Sequence, residues 1–317
     1  MKNQVWIKLV GAVFLTVLLL VGLEKMYGFF LMQNKNIKSS YVLTEKVAAD
    51  LLIHGPCEPY WMVNPTQIDS ITQLKSFNLA LSHSDFADNL LHLHLFLKNN
   101  QPPKYLLLYV TPESFDERFN TFNSYRFAHL MDDTLVNSVV KKMDPTFYRW
   151  HKLPFMRYGY YSNFINFKMI QGAKHFIKQR TKPFHPTGYQ PPTVQTWHYQ
   201  LDDFVELYPD SIRFDWSNQR EADLDELISF AQGKGMTVIL YESPVYKPTI
   251  AYQLNRETYL QRIRDIARAK EVPFWQFDDL EMAKDPNNFF STLNTTEKGS
   301  AVFNEILAKK ISEELGF

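Results

Sequence analysis

Residues 51–60 read LLIHGPCEPY, a short apolar run closed by a glycine and followed by the only cysteine in the chain. An uninterrupted apolar run of this length, stopped by a turn residue, is the pattern of a strand buried on both faces of a parallel sheet. In such a sheet the ligand crevice lies beyond the carboxyl ends of the strands. Cys57, two residues past Gly55, therefore stands where a side chain can face that crevice. Free cysteine is also among the most buried residue types, so a packed core residue and a nucleophile are both open readings. Pro56 and Pro59 remove two backbone donors from the same turn.

The same punctuation recurs along the chain. SFNLAL (76–81) reads as a second strand, and DFADNLLHLHLFLKNN (85–100) as a helix with Asp85 near its start and Asn99-Asn100 closing it. KYLLLYVTPESF (104–115) is a strong buried strand stopped by Thr111-Pro112. EADLDELISFAQGKG (221–235) is an amphipathic helix ending at glycine, and MTVILYESPVY (236–246) is another buried strand. RETYLQRIRDIARAKE (256–271) reads as a helix, VPFWQFDD (272–279) as a short last strand, and TEKGSAVFNEILAKKISEEL (296–315) as the closing helix. Strands alternating with helices predict an α/β fold, a three-layer parallel sheet with helices on both faces. Gly55, Ser82, Thr111 and Ser243 then cluster at its carboxyl end, with Thr292 and Asn294 in a loop beside them.

Two segments stand outside the alternation. Residues 9–23, LVGAVFLTVLLLVGL, carry no charge, and with Val5, Trp6 and Ile7 they supply about the 17 to 20 residues a tilted membrane span needs. Glu24, Lys25 and the aromatic MYGFF follow with no small-residue cleavage signal, so an uncleaved anchor is expected. Lys2 and Lys8 precede the apolar run, which predicts a cytoplasmic N-terminus and an extracytoplasmic domain, periplasmic or on the outer face. The expected organisation is an anchor and stem over 1–39 and an α/β domain over 40–317. Into that domain is set an aromatic- and proline-rich insertion at about 117–215, either simple packing or a lid, groove or membrane-near surface.

Composition narrows the function classes. With 34 Lys and Arg against 34 Asp and Glu, nothing calls for nucleic acid. One cysteine excludes an intramolecular disulfide. No phosphate loop or dinucleotide fingerprint is present, and Gly233-Lys234-Gly235 reads as a turn, so no cofactor is expected. His92 and His94, two apart on a helix, point in nearly opposite directions, and no metal site is expected.

The blocks LLIHGPCEPYWMVNP, FNLALSHSDFADNLLHLHLFLKNNQPPKYLLLYVTPESFD, VILYESPVY and NNFFSTLNTTEKGSAVFNEILAKKI resemble, in order and spacing, the SGNH/GDSL hydrolase superfamily. Within it they are most similar to membrane-anchored cell-envelope members, such as the D-alanyl transfer proteins of teichoic acid and the alginate O-acetylation proteins. The resemblance covers residues 50–115 and 225–317, and it implies work beside a membrane-bound O-acyltransferase on an envelope glycan or lipid. It puts Cys57, followed by Glu58, at the position of the serine nucleophile. Ser82-His83-Ser84 falls at the oxyanion glycine block without the glycine, and Val110-Thr111-Pro112-Glu113 at the asparagine block without the asparagine. The last block reads Phe289-Phe290-Ser291-Thr292-Leu293-Asn294 and lacks both the acid and the base of the family. No histidine follows His198.

A substitute base then has to come from His83 or His54, with Glu58 or Glu113 as orienting carboxylates. Cysteine partly suits such a depleted site, because a few per cent of a free thiol is thiolate at neutral pH. Three functions stay open: an acyltransferase or esterase using Cys57, an inactive homologue that binds a glycan or an acyltransferase partner, and a structural envelope-assembly protein.

Overall fold

The computed structural model describes residues 2–119, 121–160, 162–183, 185–193 and 201–316. In chain order it contains helices α1 (Lys2–Gln33) and α2 (Lys38–Thr44), strand β1 (Leu51–His54), and helices α3 (Cys57–Met62) and α4 (Pro65–Thr72). Strand β2 (Ser76–Asn78), helix α5 (Phe86–Asn99) and strand β3 (Tyr105–Tyr109) follow. Next come helices α6 (Thr134–Met143), α7 (Pro145–Trp150), α8 (Met156–Gly159), α9 (Ser162–Ile177), α10 (Leu201–Leu207) and α11 (Asn218–Gly233). The chain ends with β4 (Thr237–Glu242), α12 (Lys247–Ile250), α13 (Arg256–Ala269), β5 (Phe274–Gln276) and α14 (Glu297–Leu315). By its contacts it divides into two compact units, one of Met1–Glu45 with Phe122–Phe184, the other of Lys46–Thr121 with His185–Phe317.

The second unit holds the sheet. Its five strands are all parallel in the order β2-β1-β3-β4-β5. This is the expected α/β architecture. Connections leave β1 toward β2 and then return past it to β3, so the strand order reverses between β1 and β3. That reversal opens a crevice at the carboxyl ends of these two strands.

Alternate strand residues feed opposite layers. Leu51, Ile53, Tyr105, Leu107, Tyr109, Ile239 and Tyr241 pack with Met62, Ile68, Phe303, Leu307 and Ile311 from α3, α4 and α14. Leu52, His54, Leu106, Leu108 and Leu240, of the opposite parity, are equally buried. On that side His54 meets the carbonyl of Asn89 in α5. Three of the long helices are started by a side-chain cap. Asp85 accepts from the Asp88 N–H to start α5, Ser217 from Arg220 to start α11, and Thr296 from Gly299 to start α14.

The first unit is helical. Helix α9 packs on the last turns of α1, where Gly172 approaches so closely that a Cβ there would lie 1.8 Å from the Phe30 carbonyl oxygen. Asn34 donates to the Lys168 carbonyl at 2.8 Å and Tyr27 to the Asn166 side chain at 2.8 Å. Helix α2 follows and buries Ser39, Ser40 and Val42.

Candidate active site

The turn after β1 is built for one residue type at each place. Gly55 has φ near 140°, and a Cβ there would lie 2.7 Å from Tyr109 Cβ and 2.9 Å from Pro59 Cγ. Only glycine takes that conformation beside that contact. The His54 ring holds the turn: Nδ1 accepts the Gly55 N–H at 3.0 Å and Nε2 meets the Asn89 carbonyl at 2.9 Å. With Nδ1 accepting, the proton sits on Nε2 and points into α5. His54 is therefore a positioning residue, and the sequence expectation that it serves as a base is corrected by these two bonds.

Cys57 is the first residue of α3 and only 8% exposed. Its sulfur accepts the backbone N–H of His83 at 3.1 Å and lies 3.3 Å from the Ser82 hydroxyl. The main-chain N–H is a donor to the sulfur, while the Ser82 hydroxyl can either donate to it or accept its proton. His83 adopts φ near 53°, the left-handed region that glycine enters most readily, and its side chain is exposed. It reaches the thiol through its main chain. Ser84 stands behind this loop, its hydroxyl within 3.2 Å of the carbonyls of Gly55 and Leu81 and 3.0 Å from Asn89 Oδ1. That hydroxyl braces the loop.

The strand ends also carry a buried carboxyl cluster. Glu58, the residue after Cys57, is 5% exposed, and burial pushes its carboxyl up to about 7. Glu113 is partly buried and is pushed up to about 8 by burial, with Glu58 adding repulsion and Arg256 opposing it. Glu242, at the end of β4, is fully buried and raised to about 6 by burial against the pull of Arg256. Arg256 donates to Glu242 at 2.8 Å and to Asp278 at 3.4 Å, and Thr111 donates its hydroxyl to Glu242 at 3.2 Å. The phenols of Tyr109 and Tyr241 stand among these groups and are both raised, chiefly by burial and then by the charge of Glu58. Among the described residues, Glu58 Oε2, Glu242 Oε2 and Tyr241 Oη are buried without a hydrogen-bond partner.

Of the residues singled out in the sequence, Gly55, Cys57, Ser82 and His83 meet at one turn, and Glu58, Thr111 and Glu113 belong to the carboxyl cluster with Ser243 beside Tyr109. The Thr111 hydroxyl is engaged by Glu242. Thr292 and Asn294 lie in the loop before α14, where the Thr292 carbonyl accepts the Tyr246 N–H at 2.9 Å, two residues past Pro244 at the end of β4. Asn294 turns inward, its Nδ2 donating to Ser291 Oγ at 3.1 Å. Glu242, Arg256, Tyr109 and Tyr241 were missed. A glutamate closing the apolar run TVILYE was a usable signal, since a charged residue inside a buried strand needs a partner.

The fold and site define an α/β protein with a thiol at the switch point of a parallel sheet. No family model matches the chain, and no curated protein matches it. Among solved structures, the chain is similar to a Bacteroides fragilis protein provisionally described as an acylhydrolase, at 9% identity and a TM-score of 0.39, over 84% of this chain and 87% of that one. Helix α1 is long and apolar enough to cross a membrane.

Proposed function

We propose that this chain is a membrane-anchored, extracytoplasmic SGNH-like protein that transfers an acyl group to, or removes one from, a hydroxyl of a cell-envelope glycan or lipid, with Cys57 carrying the acyl group. The observation that supports it is the Cys57 sulfur held between the His83 N–H and the Ser82 hydroxyl at the end of β1. In the forward step the thiolate attacks the ester carbonyl, the alkoxide leaves with a proton, and a thioester remains on Cys57. A second hydroxyl or water then takes the acyl group and returns the thiol. A carboxyl group poised near 7, as at Glu58, suits proton exchange at neutral pH better than an ordinary glutamate. A membrane-bound O-acyltransferase is the partner that the family resemblance suggests.

A second reading, an inactive homologue that binds the same glycan or partner, is favoured by the loop at 289–294, which holds no imidazole and no carboxylate. One experiment separates the two. Folded protein is incubated with an activated short-chain ester, quenched in acid, and mapped by mass spectrometry. An acyl adduct on Cys57, lost in Cys57→Ala, is the expected result. Alkylation of Cys57 only after unfolding, with no adduct, would leave the binding reading alone.

A further inference from the structure

Helix α1 changes character along its length. From Val5 to Leu19 its large apolar side chains are exposed, and its most apolar window is uncovered by the described residues. From Glu24 onward it is packed within its own unit: Phe155 N–H donates to Glu24 Oε2 at 2.9 Å, Arg157 pairs with Glu24, and Tyr27 meets Phe155 edge-on at 4.9 Å. Twenty helical residues, 4–23, rise about 30 Å, the thickness of a bilayer's hydrocarbon. Glu24 then falls at the boundary where the headgroups begin, and Phe30, where Gly172 touches α1, lies about 9 Å farther along the axis.

The same unit turns apolar side chains outward. Trp150, Leu153, Met156, Tyr160, Phe164 and Phe167 are all exposed. Such a surface is out of place facing water, and aromatic rings with polar tips favour the headgroup region. The charge agrees. Residues 122–184 carry eleven Lys and Arg against three Asp and Glu, in a chain whose totals are 34 and 34. Arg149 and Lys152 flank Trp150 and Leu153, and Lys168 follows Phe167. Apolar groups interleaved with cations at a bilayer surface match anionic headgroups above acyl chains.

We propose that the helical unit of residues 122–184 is a lipid-facing platform that seats on the anionic phospholipid surface around the point where α1 leaves the bilayer. The proposal rests on the membrane reading of α1 and is tested together with it. The full chain, with Cys57 replaced by serine, receives single cysteines at Leu15, Leu153 or Phe164, each labelled with an environment-sensitive fluorophore. It is reconstituted into vesicles of phosphatidylcholine with or without phosphatidylglycerol. The Leu15 label reports the anchor alone and is expected in lipid in both vesicles. Labels at 153 and 164 are expected to shift to the blue, to be quenched by shallow spin-labelled lipid, and to lose iodide quenching several-fold in the anionic vesicles. That shielding is expected to weaken in neutral vesicles and in about 1 M salt, where the screening length falls to about 3 Å. Labels at 153 and 164 as open to iodide as in water, while Leu15 is in lipid, would overturn the platform. Equal shielding in neutral vesicles would overturn the assignment to anionic lipid. A Leu15 label outside lipid would overturn the anchor reading itself, and the platform with it.

Discussion

Replacing Glu58 by glutamine should change how the protein's stability depends on pH. In the folded chain burial holds the Glu58 carboxyl protonated up to about 7, against an ordinary value of 4.5. Between those values the folded state keeps a proton that the unfolded state has released. Stability is therefore fully present below about pH 4 and is lost as pH rises through about 7. The gap is worth about 3 kcal/mol once both states are ionised. Glutamine has nearly the same shape and no charge to desolvate. Glu58→Gln should match the wild type near pH 4 and below and exceed it by up to about 3 kcal/mol near pH 9. For a unit of about 200 residues this is roughly 6–12 °C in Tm. Glu242, also raised, slopes the same way in both proteins, whereas Glu113 loses the repulsion of Glu58 in the variant, which adds to the gain at high pH; the difference between the two curves is the readout. Tryptophan-detected melting of the detergent-solubilised full chain across this pH range measures it. Parallel curves, or a glutamine variant that is weaker at high pH, would refute the burial argument.

Further outcomes follow from single contacts. Gly55→Ala should cost at least about 2 kcal/mol, because backbone strain adds to an overlap with Tyr109, and an unchanged urea midpoint would contradict the geometry. Arg256→Met leaves Glu242 buried without its counter-charge and should cost about 3–5 kcal/mol, most of it recovered in Arg256→Met with Glu242→Leu. If the single variant melts like the wild type, the pair is not buried as described. Gly172→Val should loosen α9 from α1 by about 1–3 kcal/mol, seen as earlier cleavage within residues 122–184 under limited proteolysis. Cleavage at the wild-type rate would show that the close approach is not needed.

The sheet was legible because buried parallel strands have an unmistakable pattern. LLIH and YLLLY are closed by Gly55 and Thr111-Pro112, so their ends could be read to within a residue or two, whereas the strands expected to reach Leu81 and Tyr246 stop earlier, at Asn78 and Glu242. Cys57 was legible for the same reason, as the residue just past a strand-ending glycine. The roles of His54, Ser84 and Thr111 were not, because each depends on which neighbour a side chain meets. His54 and Cys57 are three residues apart, yet one faces α5 and the other meets the loop after β2.

Local pattern by itself determined the α/β class, the apolar helix at the N-terminus and the position of the thiol at a strand end, since periodicity and turn chemistry act over a few residues. Tertiary structure alone decided that Glu58, Glu113, Glu242 and Arg256, drawn from residues as far apart as 58 and 256, share one buried cluster. It alone decided that residues 122–184 fold onto the last turns of α1. A carboxylate's charge state and a helix's partner are set by burial and by groups distant in the chain. No window of sequence contains them.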